Sequence, residues 1–380
     1  MEEVKILELF GGIGAIRKAF EKCKIPYKVM DYVEIDKYAV KSYNAIFNES
    51  FEPQDITTYD KDINVDFIMH GSPCQDFSVA GKQAGGDVGS GTRSSLMYET
   101  IRIVGKIRPK YVMWENVKNL LSEKHKHNFD AYIETMNILG YNSYYKVLNA
   151  KDYGIPQKRE RVYTVSIRKD IDKNDFKFPE KEELKLRLKD MLEKEVDEKY
   201  YLSNKMKEYI FDINDKQENT KWANRADNGK LNPNIAYTLS VRSAGGSQRA
   251  GISNFIIKEI SEEISVIDVK RIFGLFDTEK SKHQAGSIYN KYGLAPTLDT
   301  MQGGWRQPCI IQDLKIRRLT PKECFRLMGF DDEDFEKAKA VPTSDTQLYK
   351  QAGNSIVVNV LEKILQNLFI GEKLWVKKKF

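Results

Sequence analysis

The first 170 residues alternate between short apolar runs and segments whose apolar residues recur at helical spacing. Val4–Phe10 reads as a buried strand, and Ala15–Cys23 as a helix with Ile16, Ala19 and Phe20 on one face. Val29–Ile35 predicts a second strand and Lys37–Phe47 a second helix. Further strands are expected at Val65–Met69, Tyr111–Trp114, Tyr144–Leu148 and Val162–Ile167, with helices over Leu96–Ile107 and Phe129–Leu139. Such alternation predicts an α/β fold with a doubly wound sheet. Ligands of these sheets sit beyond the carboxyl ends of the strands, so the residues just after each strand are the candidates for chemistry.

The pattern changes after Asp170. Lys181–Lys199 is a dense mixture of Lys, Glu and Leu and reads as a solvated helix or linker. From Asn214 to Pro308 the chain is irregular, rich in Asn, Gly, Ser and Arg, and contains an echo. Asn234–Leu239 with Gly245, Gly246 and Arg249 resembles Gly293–Leu298 with Gly303, Gly304 and Arg306. Two similar hairpins would explain it, as would two Gly-and-Arg loops addressing one extended partner. Order returns at Thr320-Pro321-Lys322-Glu323, a helix start with Pro just inside and an acid in the first turn. Asn354–Phe369 is amphipathic through Ile356, Val360, Ile364 and Leu368, and is expected to pack back onto the first sheet. At roughly 150 residues per domain, the 380-residue chain divides into a first domain, 1–180 completed by 345–380, and a smaller irregular one, 181–344.

Composition narrows the class. With 18 Phe, 20 Tyr and 4 Trp the chain is too aromatic to be disordered. It has no apolar run near the ~18–20 residues of a membrane span, and Met1–Lys5 lacks a signal-peptide layout. The four cysteines (Cys23, Cys74, Cys309, Cys324) have neither disulfide-framework nor zinc-finger spacing. A cytoplasmic, reduced, soluble protein without membrane or metal is expected, acting as a monomer. The net charge of +6 permits a polyanionic partner without demanding one.

The candidate chemistry follows the strands. Phe10-Gly11-Gly12-Ile13-Gly14 joins a strand to a helix, where glycine lets a ligand approach the backbone and the helix N-terminus offers free amides. Glu34 ends the next strand about twenty residues on, where dinucleotide-type folds place an acid on ribose hydroxyls. Asp55 follows and could accept from an adenine amino group. Without a basic phosphate clamp, an adenosine ligand lacking phosphates fits better than a nicotinamide cofactor. Cys74, in Gly71-Ser72-Pro73-Cys74-Gln75-Asp76-Phe77-Ser78, directly follows a strand and precedes a Gly- and Ser-rich stretch to Gly91. A buried cysteine is usually a small hydrophobe, but here Pro73 stiffens the approach and polar residues follow, so a reactive thiol is favoured. Glu115, in Trp114-Glu115-Asn116-Val117, leaves a hydrophobic strand and is costly to bury alone; such an acid can protonate a ring nitrogen. Arg161, at the end of Gln157-Lys158-Arg159-Glu160-Arg161, abuts an apolar strand and could point along the same edge.

Taken in order, Phe10–Gly14, Glu34, Asp55, Pro73-Cys74-Gln75, Glu115-Asn116-Val117, Gln157–Arg161, Arg318-Leu319 with Glu323, Arg326, Gly329 and Phe330, and Gln351–Ser355 resemble one family. It is the cytosine-specific DNA methyltransferases that modify carbon 5, of the kind found in bacterial restriction–modification systems. The resemblance implies a mixed sheet of the S-adenosylmethionine-dependent methyltransferase (Rossmann-like) type and a target-recognition domain in the irregular region. It implies Cys74 as nucleophile at carbon 6, Glu115 on ring N3 and the exocyclic amine, Arg161 on O2 with Arg159 nearby, and Asn116 orienting the loop. S-adenosylmethionine would lie over Phe10, Gly11, Gly12 and Gly14 with its ribose on Glu34 and its adenine near Asp55. Ile35, Ile56 and Pro73 would line that pocket, and Asn354 and Ser355 would close it. Ile35 stands where the family often carries an aromatic residue. The partner implied is double-stranded DNA, with the target base flipped out and Gln75–Gly91 as a lid. Gln75, Ser78, Lys82, Arg93, Arg242, Arg249, Thr297, Gly303, Gly304 and Arg306 are the expected DNA contacts. An RNA cytosine methyltransferase and a catalytically inactive DNA-binding regulator are the rivals. The long variable region disfavours the first, and intact Cys74, Glu115 and Arg161 the second.

Overall fold

Six strands form the central sheet of the computed structural model, which describes residues 2–73, 93–201, 271–274, 285–301, 306–312 and 315–371. β1 (Val4–Leu9), β2 (Tyr27–Val33), β3 (Phe67–His70) and β4 (Tyr111–Val117) are parallel. β5 (Tyr141–Asn149) and β6 (Glu160–Arg168) form an antiparallel pair, and β6 runs antiparallel to β4. The order is β2-β1-β3-β4-β6-β5, so the chain turns one way from β1 to β2 and the other way to β3. Helices α1 (Ala15–Cys23), α2 (Lys37–Phe47), α3 (Met97–Ile107) and α4 (Lys126–Ile138) connect the strands. One apolar cluster, with Phe20, Phe67 and Met113, covers one face of the sheet; another, with Val104, Trp114 and Tyr132, covers the other. The expected doubly wound mixed sheet is what forms.

Four helices follow a second, four-stranded sheet of order β10-β9-β8-β7, made of β7 (Arg271–Gly274), β8 (Ser287–Tyr289), β9 (Cys309–Gln312) and β10 (Lys315–Arg318). They are α5 (Pro321–Leu327), α6 (Asp332–Ala340), α7 (Asp345–Asn354) and α8 (Val358–Leu365). α5 begins as its sequence indicates: Thr320 and Glu323 close a capping box with Pro321 in the first turn. Buried Arg317 and Glu323, at 2.6 Å, join β10 to this helix. α8 packs on α1, and beyond it Phe369 meets Phe20, Phe67 and Tyr111 with ring centroids 5.9, 6.1 and 5.2 Å away. The amphipathic stretch therefore does return to the first sheet, but its helix starts at Val358, not Asn354. The carbonyls of Gly353 and Ser355, which a continuous helix would use internally, accept hydrogen bonds from Arg159 instead.

Of the two forms expected for Lys181–Lys199, helix or linker, the chain takes the second. It is no solvated helix: Leu184, Leu188 and Met191 are buried, and Leu188 and Lys189 donate their backbone N–H groups to Gly293 and Lys291. The helical spacing of these apolar residues is real, but docking against the core outweighs local helix formation. Among the described residues no helix is long and apolar enough to cross a membrane, and no three metal-binding side chains gather.

Gly353 is where α7 meets the chain entering from β8. A Cβ there would collide with the Asp299 carbonyl and lie 3.0 Å from Thr300 Cα. Helix propensity favours alanine over glycine by about 1 kcal/mol, whereas overpacking costs about 1–3 kcal/mol. Both colliding groups are backbone, so the clash dominates. Gly353→Ala is expected to destabilise the protein by up to about 2 kcal/mol net in urea titration; a stabilised variant would show that this junction yields freely.

Candidate active site

Strand register brings the candidate residues to one edge. Leu9 pairs with Val33 and His70, and His70 with Trp114, so β1, β2 and β3 leave the sheet in one row. β4 does not stop there. Glu115, Asn116 and Val117 continue the strand because Tyr163, Val162 and Arg161 of β6 supply antiparallel partners. Glu115 and Arg161 thus lie inside strands, not after and before them as their sequence suggests. The apolar run ends at Trp114; the ladder does not.

Over the ends of β1 and β2 lies a cradle. Gly14 has φ 81°, and a Cβ there would collide with the Tyr43 and Phe47 rings, so the turn into α1 requires glycine at this point. A methyl group built on Gly12, by contrast, would meet no atom within 4 Å. That open space borders Glu34, whose two oxygens accept from the N–H groups of Gly12 (3.1 Å) and Asp36 (2.9 Å). Burial raises the Glu34 pKa, while these backbone donors oppose the shift. Gln54 ties the following loop to β2 through Tyr32 O and Glu34 O, placing Asp55 and Ile56 beside the acid. Asp55 caps a short turn, accepting from Thr57 N and Oγ1, each at 2.9 Å. Ile56 is buried, whereas Ile35 is 68 % exposed, an apolar side chain awaiting cover. A carboxylate beside open backbone and an uncovered aliphatic chain suits the ribose and adenine of S-adenosylmethionine.

Beyond β4 the site is charged. Glu115 is 8 % exposed, and its Oε1 lies 3.2 Å from Arg161 Nε, yet no donor among the described residues is aimed well enough to bond that oxygen. Burial raises its pKa, against the lowering influence of Arg161 and then Arg159. Its Oε2 would be 3.8 Å from a Cβ on Gly71, three residues before Cys74. Arg161 Nη1 donates to Glu160 O at 2.9 Å. Arg159 is buried, its Nη1 on Leu298 O and its Nη2 on Gly353 O and Ser355 O. Asn116 Nδ2 donates to the Ser72 carbonyl at 3.3 Å. Pro73 is half-buried at the end of this stretch; Cys74, Gln75, Ser78 and Lys82 lie outside the described residues.

The chain matches the family of C-5 cytosine-specific DNA methylases over residues 4–369. It belongs to that family. The orphan methyltransferase M.SPRI of Bacillus phage SPR is 32% identical, covering 97% of this chain and 98% of that protein. The type II methyltransferase M.HhaI of Haemophilus parahaemolyticus is also 32% identical, covering 96% and 94%. Two solved structures share the fold. Dnmt2 of S. pombe has a TM-score of 0.60 at 17% identity over 100% of both chains. The Entamoeba histolytica methyltransferase EhMeth has 0.62 at 17%, over 97% of this chain and 99% of its own. The family methylates carbon 5 of cytosine in DNA, and its methyl donor is S-adenosylmethionine.

The remaining residues of this methylase divide by position. Asn354 is exposed at the end of α7, and buried Ser355 turns its hydroxyl to Ile356 O at 3.3 Å. Thr297 donates to Lys158 O at 2.6 Å and lines a small cleft with exposed Arg306. Arg93 opens a short 3-10 turn, Arg93–Leu96. Arg242, Arg249, Gly303 and Gly304, and with them the first copy of the echo, lie outside the described residues.

Glu8 carries no signal in the sequence beyond being one acid in an apolar strand. It is wholly buried beneath the glycine turn, its Oε1 accepting from Tyr43 OH at 2.6 Å and its Oε2 without a partner among the described residues. Burial pushes its carboxyl up to about 7, against the Tyr43 bond. A carboxyl with its folded pKa above its unfolded one holds its proton better in the native state. Stability from Glu8 is therefore complete below the unfolded value of 4.5 and lost as pH rises through about 7. Glu8→Gln removes this titration. Its stability relative to the parent is expected to climb between about pH 4.5 and 7 and then level, by on the order of 3 kcal/mol. Urea titrations across that range check it; a pH-independent difference would refute the buried, protonatable carboxyl.

Proposed function

We propose that Cys74, Glu115 and Arg161 carry out the methylation and that Glu34 anchors the cofactor. The observation that carries this is the meeting of Glu115 and Arg161 on the extended β4–β6 ladder, beside Gly71 and three residues before Cys74. Carbon 5 of cytosine is a weak nucleophile, and covalent catalysis overcomes that. The Cys74 thiolate forms a bond to carbon 6, and the electron pair of the 5,6 double bond moves toward N3 and O2. Glu115, buried beside Arg161, passes a proton to N3 as the adduct forms. Arg161 hydrogen-bonds O2 as charge grows there. S-adenosylmethionine, when bound, supplies an electrophilic methyl group. The enamine carbon 5 takes that methyl, and the donor's sulfonium leaves as the neutral thioether; a base then removes the carbon-5 proton, its electrons re-form the 5,6 double bond as the Cys74 thiolate leaves, and N3 returns its proton to Glu115.

The target base must leave the duplex stack to meet these groups, at a cost of a few kcal/mol. Residues between 181 and 344 select the sequence, with Thr297 and Arg306 among the contacts, and Asn116 holds the loop before Cys74. Arg159 supports this edge through the carbonyls it binds, while Phe10–Gly14, Ile35, Asp55, Ile56, Pro73, Asn354 and Ser355 line the cofactor side.

Two measurements test the assignment. A duplex carrying 5-fluorocytosine in the target site stalls the reaction, since fluorine cannot leave as a cation. The parent enzyme with cofactor is expected to give an adduct stable on a denaturing gel, and Cys74→Ser none; a trapping serine variant would overturn the role of Cys74. Separately, Glu34→Ala is expected to weaken S-adenosylmethionine binding by about 1.5–3 kcal/mol, with DNA affinity in the absence of cofactor unchanged. Unaltered cofactor affinity by calorimetry would remove Glu34 from the pocket.

A further inference from the structure

β3 and its ladder to β4 end together at the His70–Trp114 pair. Two residues later the departing chain is held again, now by side chains. The Trp114 indole N–H donates to Ser72 Oγ at 3.0 Å, and Asn116 Nδ2 donates to Ser72 O. Trp114 and Asn116 are i and i+2 on one strand, so both reach the chain on the same face of the sheet. All three residues are buried.

Neither donor can swing away. The Trp114 ring lies parallel to His70 within 5° and packs on Tyr132 at 4.2 Å and Phe129 at 5.9 Å between centroids. His70 Nε2 is 3.0 Å from Tyr132 OH, and burial pushes the His70 pKa down to about 3, so the stack stays neutral at working pH. Asn116 is locked by its own Oδ1, which accepts from Val117 N at 2.8 Å. Ser72 is thus tethered through both its hydroxyl and its carbonyl. Pro73 follows, with φ set by its ring, and disfavours helical conformations at Ser72. Cys74 is the next residue in the chain.

We propose that Trp114, acting through its hydrogen bond to Ser72, is a positioning residue for the Cys74 thiol. The indole has one N–H to give and spends it on the last anchored residue before the proline. The pin aims the backbone that enters Cys74 before DNA arrives; it acts on the nucleophile's placement and not on the base. A misplacement near 1 Å at a reacting centre can cost about 100-fold in rate. The inference rests on the assignment of Cys74 as nucleophile.

The experiment measures the rate of covalent trapping on 5-fluorocytosine duplex, with cofactor saturating, for the parent and for Cys74→Ser, Trp114→Phe, Ser72→Ala and Trp114→Phe/Ser72→Ala. Trp114→Phe keeps an aromatic ring in the stack but removes the donor together with part of the packed indole, whereas Ser72→Ala removes the acceptor and leaves the stack intact. Trapping by Trp114→Phe and by Ser72→Ala is expected to slow at least about 10-fold, with DNA and cofactor affinities within about two-fold of the parent. The double variant should be no slower than the slower single, because both changes break one bond. The rate of Cys74 alkylation by iodoacetamide, followed against pH, should shift in both singles, which a loss of general stability would not produce. Trapping at the parental rate in Trp114→Phe, or effects that multiply in the double variant, overturns the pin. If Trp114→Phe does not fold, Ser72→Ala alone decides, by the same trapping rate. Should the parent itself fail to trap, or Cys74→Ser trap, the assignment of Cys74 falls instead.

Discussion

One buried guanidinium, that of Arg159, joins three stretches of chain far apart in sequence. Its terminal nitrogens reach Leu298 O at 2.8 Å, Gly353 O at 3.1 Å and Ser355 O at 2.9 Å, while its backbone N–H meets Asn149 Oδ1 at 3.1 Å. A charge so deep would be prohibitive without such partners. Main-chain carbonyls repay the desolvation with strong, charge-assisted bonds. They also dictate geometry: α7 must end where its carbonyls turn to the guanidinium, and Asp299 must lie against Gly353. Arg161 stands two residues further along the chain, inside β6, so the frame built around Arg159 presents the neighbouring charge to the site.

α7 carries that constraint to the cofactor side. Lys350 reaches Asp36 Oδ2 at 2.7 Å, and Gln351 bonds both Ser42 Oγ and Tyr38 O, each at 3.0 Å. Asp36 in turn donates its N–H to Glu34. One short helix therefore abuts both the neighbourhood of Glu34 and the guanidinium clamp. Pocket and charged edge are built on shared supports.

Much of this was readable in the sequence where local pattern and burial agree. The parallel strands, α1 and α2 follow from apolar runs and helical spacing, and the glycine turn and Glu34 from their places after strands. Cys74 stands out by the same logic, though its placement lies outside the described residues. What was not readable depends on partners distant in sequence. β4 runs on through Glu115 because β6 pairs with it, and nothing near Glu115 announces that ladder. The Lys- and Glu-rich linker is anchored by three buried apolar residues whose spacing mimics one face of a helix, while most of its other residues are exposed. Motif order directs attention to Arg318, yet the buried partner of Glu323 is Arg317; Arg318 donates to Lys199 O and stacks over Tyr200. Glu8 and the Ser72–Trp114 bond are invisible for a similar reason, since an acid or an indole in a strand does not reveal what it faces.

The packing of α8 and Phe369 against Phe20, Phe67 and Tyr111 has a consequence for synthesis. Those three aromatics emerge from the ribosome long before their cover. At about 5–20 residues per second, some 300 residues separate Phe67 from Phe369, a delay on the order of 15–60 seconds. Throughout it, one face of the mixed sheet, whose strands are all made by residue 168, lacks α8 and Phe369. Apolar surface left open for that long is the kind that invites aggregation and chaperone binding during synthesis.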